Sequence, residues 1–344
     1  MAPRNYKILV LPSGAATGII SSTILTQLEH DTGAPIYQHF DEIWCSSIGS
    51  MIAALLTTPK KSAGLSAPVP APIPASVPVP PMSAAEVTVF LERSFSNLAQ
   101  AVGIRGKFKK QLPLSTLMRD TLIPLRILSA EVTRFNWIWP LETQLKSFSS
   151  AEDGGLSLAS VVSSSCTVFP FHPFAEPVCD SDGRVRYCID AGCEVCTESC
   201  MNPLTHLFQE FSKNIDPSQD SVAIYFISNG WVRMDNSWGS SGMVKMPRAD
   251  GIDIADGIDV NVKVFNIDVS LSSVIRKWQK DTRVGSLLNR VKNEYLFYNL
   301  AGGGVIHTAF LKAEALKISK QSESYKVMLE SLQGKAKKGS TGNK

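Results

Sequence analysis

The residues best suited to chemistry lie at Cys45-Ser46-Ser47-Ile48-Gly49. The pattern is that of a nucleophile elbow, G-x-S-x-G, with cysteine at the first small position. A serine on a sharp strand-to-helix turn needs small residues two places to either side, because larger ones collide as the backbone folds back. Ser47 is thereby lifted clear of the sheet edge. The following helix turns its N-terminal amides and positive dipole end toward it, which suits an alkoxide or oxyanion. Attack on a carbonyl carbon also requires donors for the developing oxyanion. The loop Ser13-Gly14-Ala15-Ala16-Thr17-Gly18 offers the backbone amides of Gly14 and Ala15 for that role. It lacks the Lys-Ser/Thr ending of a P-loop and the spacing of G-x-G-x-x-G, so the pattern argues against a nucleotide site.

The elements that must position these residues are legible on either side of them. Lys7 to Leu11 is an apolar run of strand length that stops at the small-residue loop, and Ile20, Ile24, Leu25 and Leu28 then follow helical spacing up to Gly33 and Pro35. Phe40 to Cys45 reads as a second strand and Ser50 to Leu56 as a second helix. Strands alternating with helices predict an α/β fold, a central and mostly parallel sheet with helices on both faces. In a parallel sheet the two strand-to-helix loops emerge at one carboxyl edge, which places Gly14 and Ala15 beside Ser47. Further along, Val185 to Ile189 and Ser221 to Ile227 read as strands, and Ser273 to Phe297 as a helix. Residues 107–150 mix basic and aromatic residues with helical stretches. Their Lys107-Phe108-Lys109-Lys110 cluster suits either anionic lipid headgroups or a solvated face.

The 344 residues, 44% of them hydrophobic, are enough to bury a core, and they are read as one domain over 1–335 followed by a disordered basic tail at 336–344. A Pro-rich insertion at 59–82 interrupts it, with seven prolines between Pro68 and Pro81, and a capping box at Ser83-Ala84-Ala85-Glu86 restores order. A net charge of +3 is too even for a nucleic-acid footprint. The sequence shows neither a signal peptide nor a stretch of the roughly 18 apolar residues that a spanning helix needs. Seven cysteines, an odd number, read as reduced thiols and predict an intracellular, cytoplasmic protein able to meet a membrane peripherally.

The order of these features resembles the patatin-like phospholipase family. That family has a small-residue oxyanion loop after the first strand, a G-x-S-x-G serine, and a later D-G-[GA] aspartate with an N-P pair following. Here Cys188-Ile189-Asp190-Ala191-Gly192 and Asn202-Pro203 occupy the last two places, and Ala159 to Pro170 is similar to the family's small-residue stretch ending in an aromatic and proline. The resemblance spans about Lys7 to Ser228. It implies a three-layer α/β/α hydrolase with a Ser47-Asp190 dyad, Ser47 attacking a lipid ester and Asp190 taking its proton, the amides of Gly14 and Ala15 holding the oxyanion. It implies cleavage of phospholipids or lysophospholipids at a membrane or micelle surface through an acyl-enzyme, with no cofactor required and room for a protein activator. Thr17 stands where the family loop carries arginine, Cys45 replaces glycine, and Ala191 replaces the family's first glycine. A Ser-His-Asp arrangement would instead recruit His172 or His206, and a catalytically silent lipid-binding or protein-interaction module is the alternative from another class.

Five cysteines crowd between Cys179 and Cys200, and Cys193-Glu194-Val195-Cys196 is a C-x-x-C. Cys188, Cys193, Cys196 and Cys200 together are the right residue types for a structural zinc, and free thiols in a loop are the other reading.

Overall fold

The apolar run ahead of the first small-residue loop folds as β1 (Asn5–Leu11), with its last four residues buried. A computed structural model of the chain describes residues 4–60, 79–112, 115–136, 139–167, 176–179, 182–191, 220–228, 261–267 and 305–334. Among them β1 lies inside an eight-stranded mixed sheet. Its two neighbours are parallel to it, β2 (Glu42–Ser46) on one side and β7 (Ser221–Ile227) on the other. Beyond β7 lies β8 (Asn261–Ile267), again parallel. The first residues of β3 (Leu125–Asn136) pair in parallel with β2, and its full length forms an antiparallel hairpin with β4 (Trp139–Ser149). A second antiparallel pair, β5 (Glu176–Cys179) and β6 (Val185–Ile189), docks through β6 onto β3.

Helices complete a three-layer α/β/α arrangement: α1 (Gly18–Thr32), α2 (Ile48–Thr57), α3 (Ala84–Ser94), α4 (Leu98–Val102), α5 (Ile104–Gln111), α6 (Leu158–Ser165), α7 (Val305–Gln321) and α8 (Glu323–Leu332). Every residue of α2 is buried, as expected of a helix that is apolar all round. The predicted α/β class, the first two β-loop-α units and the strands at 185–189 and 221–227 are all present. So is the capping box, in which the Ser83 hydroxyl accepts from the Glu86 N–H while the Glu86 carboxylate accepts from the Ser83 N–H at 2.8 Å.

The stretch at 107–150 differs from the sequence reading. After α5 it is dominated by the long β3–β4 hairpin rather than by further helices. The physical reason is a change of environment within one strand. Residues 125–130 of β3 are buried throughout, as in a central strand, whereas Glu131, Thr133 and Arg134 reach the surface, so neither a continuous apolar run nor a clean alternation spans it. At the base of the Pro-rich insertion Lys60 and Val79 form an antiparallel bridge and the Met82 N–H bonds the Leu55 carbonyl at 3.2 Å. Residues 61–78, the predicted helix Ser273 to Phe297 and the tail 336–344 lie outside the described residues. Among those described, no helix is long and apolar enough to cross a membrane.

Candidate active site

Ser47 occupies the single residue between β2 and α2, with φ 51° and ψ −128°. Together with Ala15, at φ 47°, it is one of only two non-glycine residues with positive φ among those described. Such backbone costs roughly 1–3 kcal/mol and persists only where the surroundings over-determine it. Here they do. The Ser47 N–H donates to the Ser165 hydroxyl at 2.8 Å, and that hydroxyl donates onward to the Leu128 carbonyl at 2.7 Å. The Ser47 carbonyl accepts from the Ser50 hydroxyl at 2.5 Å and from the Ser50 N–H at 2.9 Å. Gly49 is required by space: a Cβ there would lie 2.0 Å from the Leu11 carbonyl oxygen, so the second small position of the elbow lets α2 press against the end of β1.

Strand register brings Asp190 to the same place. Along β3 the whole of one edge is taken by β4, with Arg126 to Val132 paired without interruption, so β2 and β6 must share the other edge. They run in opposite directions along it. β2 ends with Ser46 opposite Leu128, and β6 ends with Ile189 opposite Ala130. The two carboxyl ends therefore meet head to head, about 7 Å apart along β3, and one further step along each strand brings both Ser47 and Asp190 to the level of Ser129. The end of α6 closes the same gap. Ser165 takes the Ser47 N–H, Cys166 lies 3.7 Å from the Ser50 hydroxyl, and the Thr167 carbonyl accepts the Asp190 N–H at 3.0 Å. Three consecutive residues thus tie the elbow to the aspartate.

The small-residue loop completes the third side. Leu11 pairs with Cys45, which fixes both loops at one sheet edge, and the Ser13 and Ser46 hydroxyls are 2.8 Å apart. A Cβ on Gly18 would lie 2.7 Å from the Ile48 side chain, so the starts of α1 and α2 abut. Buried Thr17 closes the loop itself: its hydroxyl and its N–H donate to the Gly14 carbonyl at 2.6 and 2.9 Å. Neither the Gly14 nor the Ala15 N–H donates a hydrogen bond among the described residues. Where the resembling family carries arginine, this chain thus holds the loop with a hydroxyl.

Ser47 and Asp190 are both buried, at 5% and 3% exposure, as are Ser129, Ser163, Ser164 and Ser165. Burial pushes the Cys166 thiol up, the Asp190 charge pushes it further, and the Arg105 guanidinium partly opposes both. Arg105 Nη1 donates to the Thr167 hydroxyl at 2.6 Å and pairs with Glu176 at 3.3 Å. Lys109 also pairs with Glu176. Sequence reasoning assigned no role to Ser165, Thr167 or Arg105. The run Ser163-Ser164-Ser165 at the end of a buried helix was the one signal that a close approach occurs there.

Other predicted residues fall elsewhere. Cys45 is buried under the elbow, its thiol raised well above the usual range by burial. Cys188 is buried and its thiol is pushed up to about 12 by burial and then by the nearby Glu131 charge. Cys193, Cys196, Cys200, His172 and His206 lie outside the described residues.

No family model matches the chain, and no curated protein is significantly similar to it. Among solved structures, VipD from Legionella pneumophila is similar at 12% identity with a TM-score of 0.30, over 90% of this chain and 67% of that one.

Proposed function

We propose that the chain is a serine acyl hydrolase acting on carboxylic esters of phospholipids or lysophospholipids. Ser47 is the nucleophile and Asp190 the general base. Asp190 takes the hydroxyl proton as Ser47 Oγ attacks the ester carbonyl, and the amides of Gly14 and Ala15 receive the oxyanion. Collapse breaks the bond to the alcohol, which leaves with the proton from Asp190, and the acyl group stays on Ser47. Asp190 then deprotonates a water, which attacks the acyl carbonyl; the bond to Ser47 Oγ breaks, Ser47 takes the proton back from Asp190, and the fatty acid is released. Backbone donors already bent into place need no reorganisation as charge develops.

The observation that supports this most strongly is the head-to-head meeting of β2 and β6, which delivers a strained serine and a buried aspartate to one level of β3. The lipid ester as substrate rests on the resemblance of the loop, elbow and D-A-G motifs to the patatin-like family. Fatty-acid release from mixed phospholipid and lysophospholipid micelles tests the reading. Ser47→Ala and Asp190→Asn should each lower release by about 10³-fold or more while thermal unfolding stays cooperative. Undiminished release by folded Ser47→Ala would overturn it, and no release by the wild type on any ester would favour a silent binding module.

A further inference from the structure

A concavity lies away from the Ser47 elbow, between α3 and α5. The groove is open to solvent and its volume is about 720 Å³, within the range of roughly 300–1,000 Å³ typical of small-ligand sites. Met82, Ala85, Val89 and Phe90 form its apolar part, beside Ser94, Gln100 and Gln111, and Val89 is 40% exposed. Three cations line the same groove: Arg93, one turn beyond Val89 and Phe90 on α3, and Lys107 and Lys110, one turn apart on α5.

The charges on α5 are divided by helix geometry. Arg105 and Lys109, four residues apart, turn inward to Glu176, whereas Lys107 and Lys110 turn to the groove. Among the described residues neither these two lysines nor Arg93 has a carboxylate partner. Glu86, the one acidic residue in the lining, is already engaged: Lys60 Nζ bonds its two oxygens at 2.7 and 3.0 Å and the Ser83 N–H adds a third bond at 2.8 Å. An apolar surface ringed by unpaired cations is complementary to a molecule with one hydrocarbon chain and one anionic end. The concave shape favours a single chain over a bilayer face, which would need protruding apolar residues.

We propose that the groove between α3 and α5 binds a free long-chain carboxylate, its chain against Met82, Val89 and Phe90 and its head among Arg93, Lys107 and Lys110. The planar guanidinium of Arg93 matches a carboxylate fork, and the two ammonium groups add charge without fixing orientation. The inference goes beyond the hydrolase reading and does not rest on it.

Calorimetric titration with laurate below its micelle-forming concentration tests the site on the full chain. Saturable binding of one laurate is expected, with dodecanol much weaker. The double variant Lys107→Glu/Lys110→Glu should weaken laurate binding by about tenfold or more, and Val89→Asp should weaken laurate and dodecanol together. Both change surface-facing positions, and thermal unfolding checks that they fold; Lys107→Ala/Lys110→Ala, with a smaller loss expected, serves if the reversal does not. Ser47→Ala, and wild type blocked at Ser47, should bind laurate unchanged. Equal affinity in the lysine variants, or loss of binding on blocking Ser47, would overturn the proposal. So would failure to bind laurate alongside charge-dependent binding to vesicles containing anionic phospholipid, an outcome that would assign the patch to a membrane surface.

Discussion

Ser47 holds its left-handed backbone because each of its polar main-chain atoms has a partner chosen by the fold, and the Ser165 hydroxyl is the most telling of these. It accepts from Ser47 and donates to Leu128, so it joins the elbow to β3 with one atom. Ser165→Ala removes the acceptor and leaves a buried N–H and a buried carbonyl without their bonds, a loss of about 1–3 kcal/mol. Denaturant unfolding should register that loss. On the proposed function, ester hydrolysis should fall further than stability does, because the position of Ser47 relaxes with its amide. Gly49 illustrates a different kind of necessity, since 2.0 Å to the Leu11 oxygen leaves no room for any side chain.

At the scale of elements, the site depends on strand ends rather than on strand faces. Asp190 is delivered by β6, and the segment that receives its amide is clamped by α5 through Arg105, Thr167 and Glu176. On the proposed function, Arg105 is therefore expected to act as a positioning residue. Arg105→Gln should lower kcat for ester hydrolysis about ten- to a hundred-fold with KM little changed, and Arg105→Lys should restore part of it; equal kcat in all three forms would remove Arg105 from the account. Much of this architecture was legible beforehand. β1, β2 and β7 are short, largely apolar runs bounded by small residues or turns, β6 is a short stretch of strand-forming residues ending at Asp190, and the elbow announces itself by residue size. α7 escaped notice because its buried face includes Thr308, Ala315 and Ser319 beside Leu311, so its period of 3.6 is not written in large apolar side chains. The bond from Ser47 to Ser165 spans 118 residues, and no local pattern encodes a pairing at that range. The meeting of β2 and β6 depends on the length of β3, whose two halves face different environments.

For the molecule as a whole, the C-terminal helix α8 is tied back to the first helix and the sheet. The Tyr325 hydroxyl donates to Asp31 at 2.8 Å, the Gln333 amide donates to the Asp31 carbonyl at 3.1 Å, and the Tyr225 and Ser331 hydroxyls are 2.9 Å apart. Burial tends to raise the Asp31 pKa, but hydrogen bonds from His30, Tyr325 and Gln27 outweigh it and hold the carboxyl below its ordinary value. A depressed carboxylate pKa stabilises the fold above the unfolded value, near pH 4, and that stabilisation is lost as pH falls through the folded value. The gap in melting temperature between wild type and Asp31→Asn should accordingly be largest near neutrality and close as the solution is acidified below about pH 4. A gap that widens on acidification would contradict the sign.

The central claim is that Ser47 is a nucleophile, and covalent labelling tests it most directly. A fluorophosphonate probe should react with the wild-type protein, peptide mass analysis should place the adduct on Ser47, and Ser47→Ala should remain unlabelled with an unchanged melting temperature. An adduct on another serine, or no adduct on folded wild type with lipid micelles present, would contradict the account.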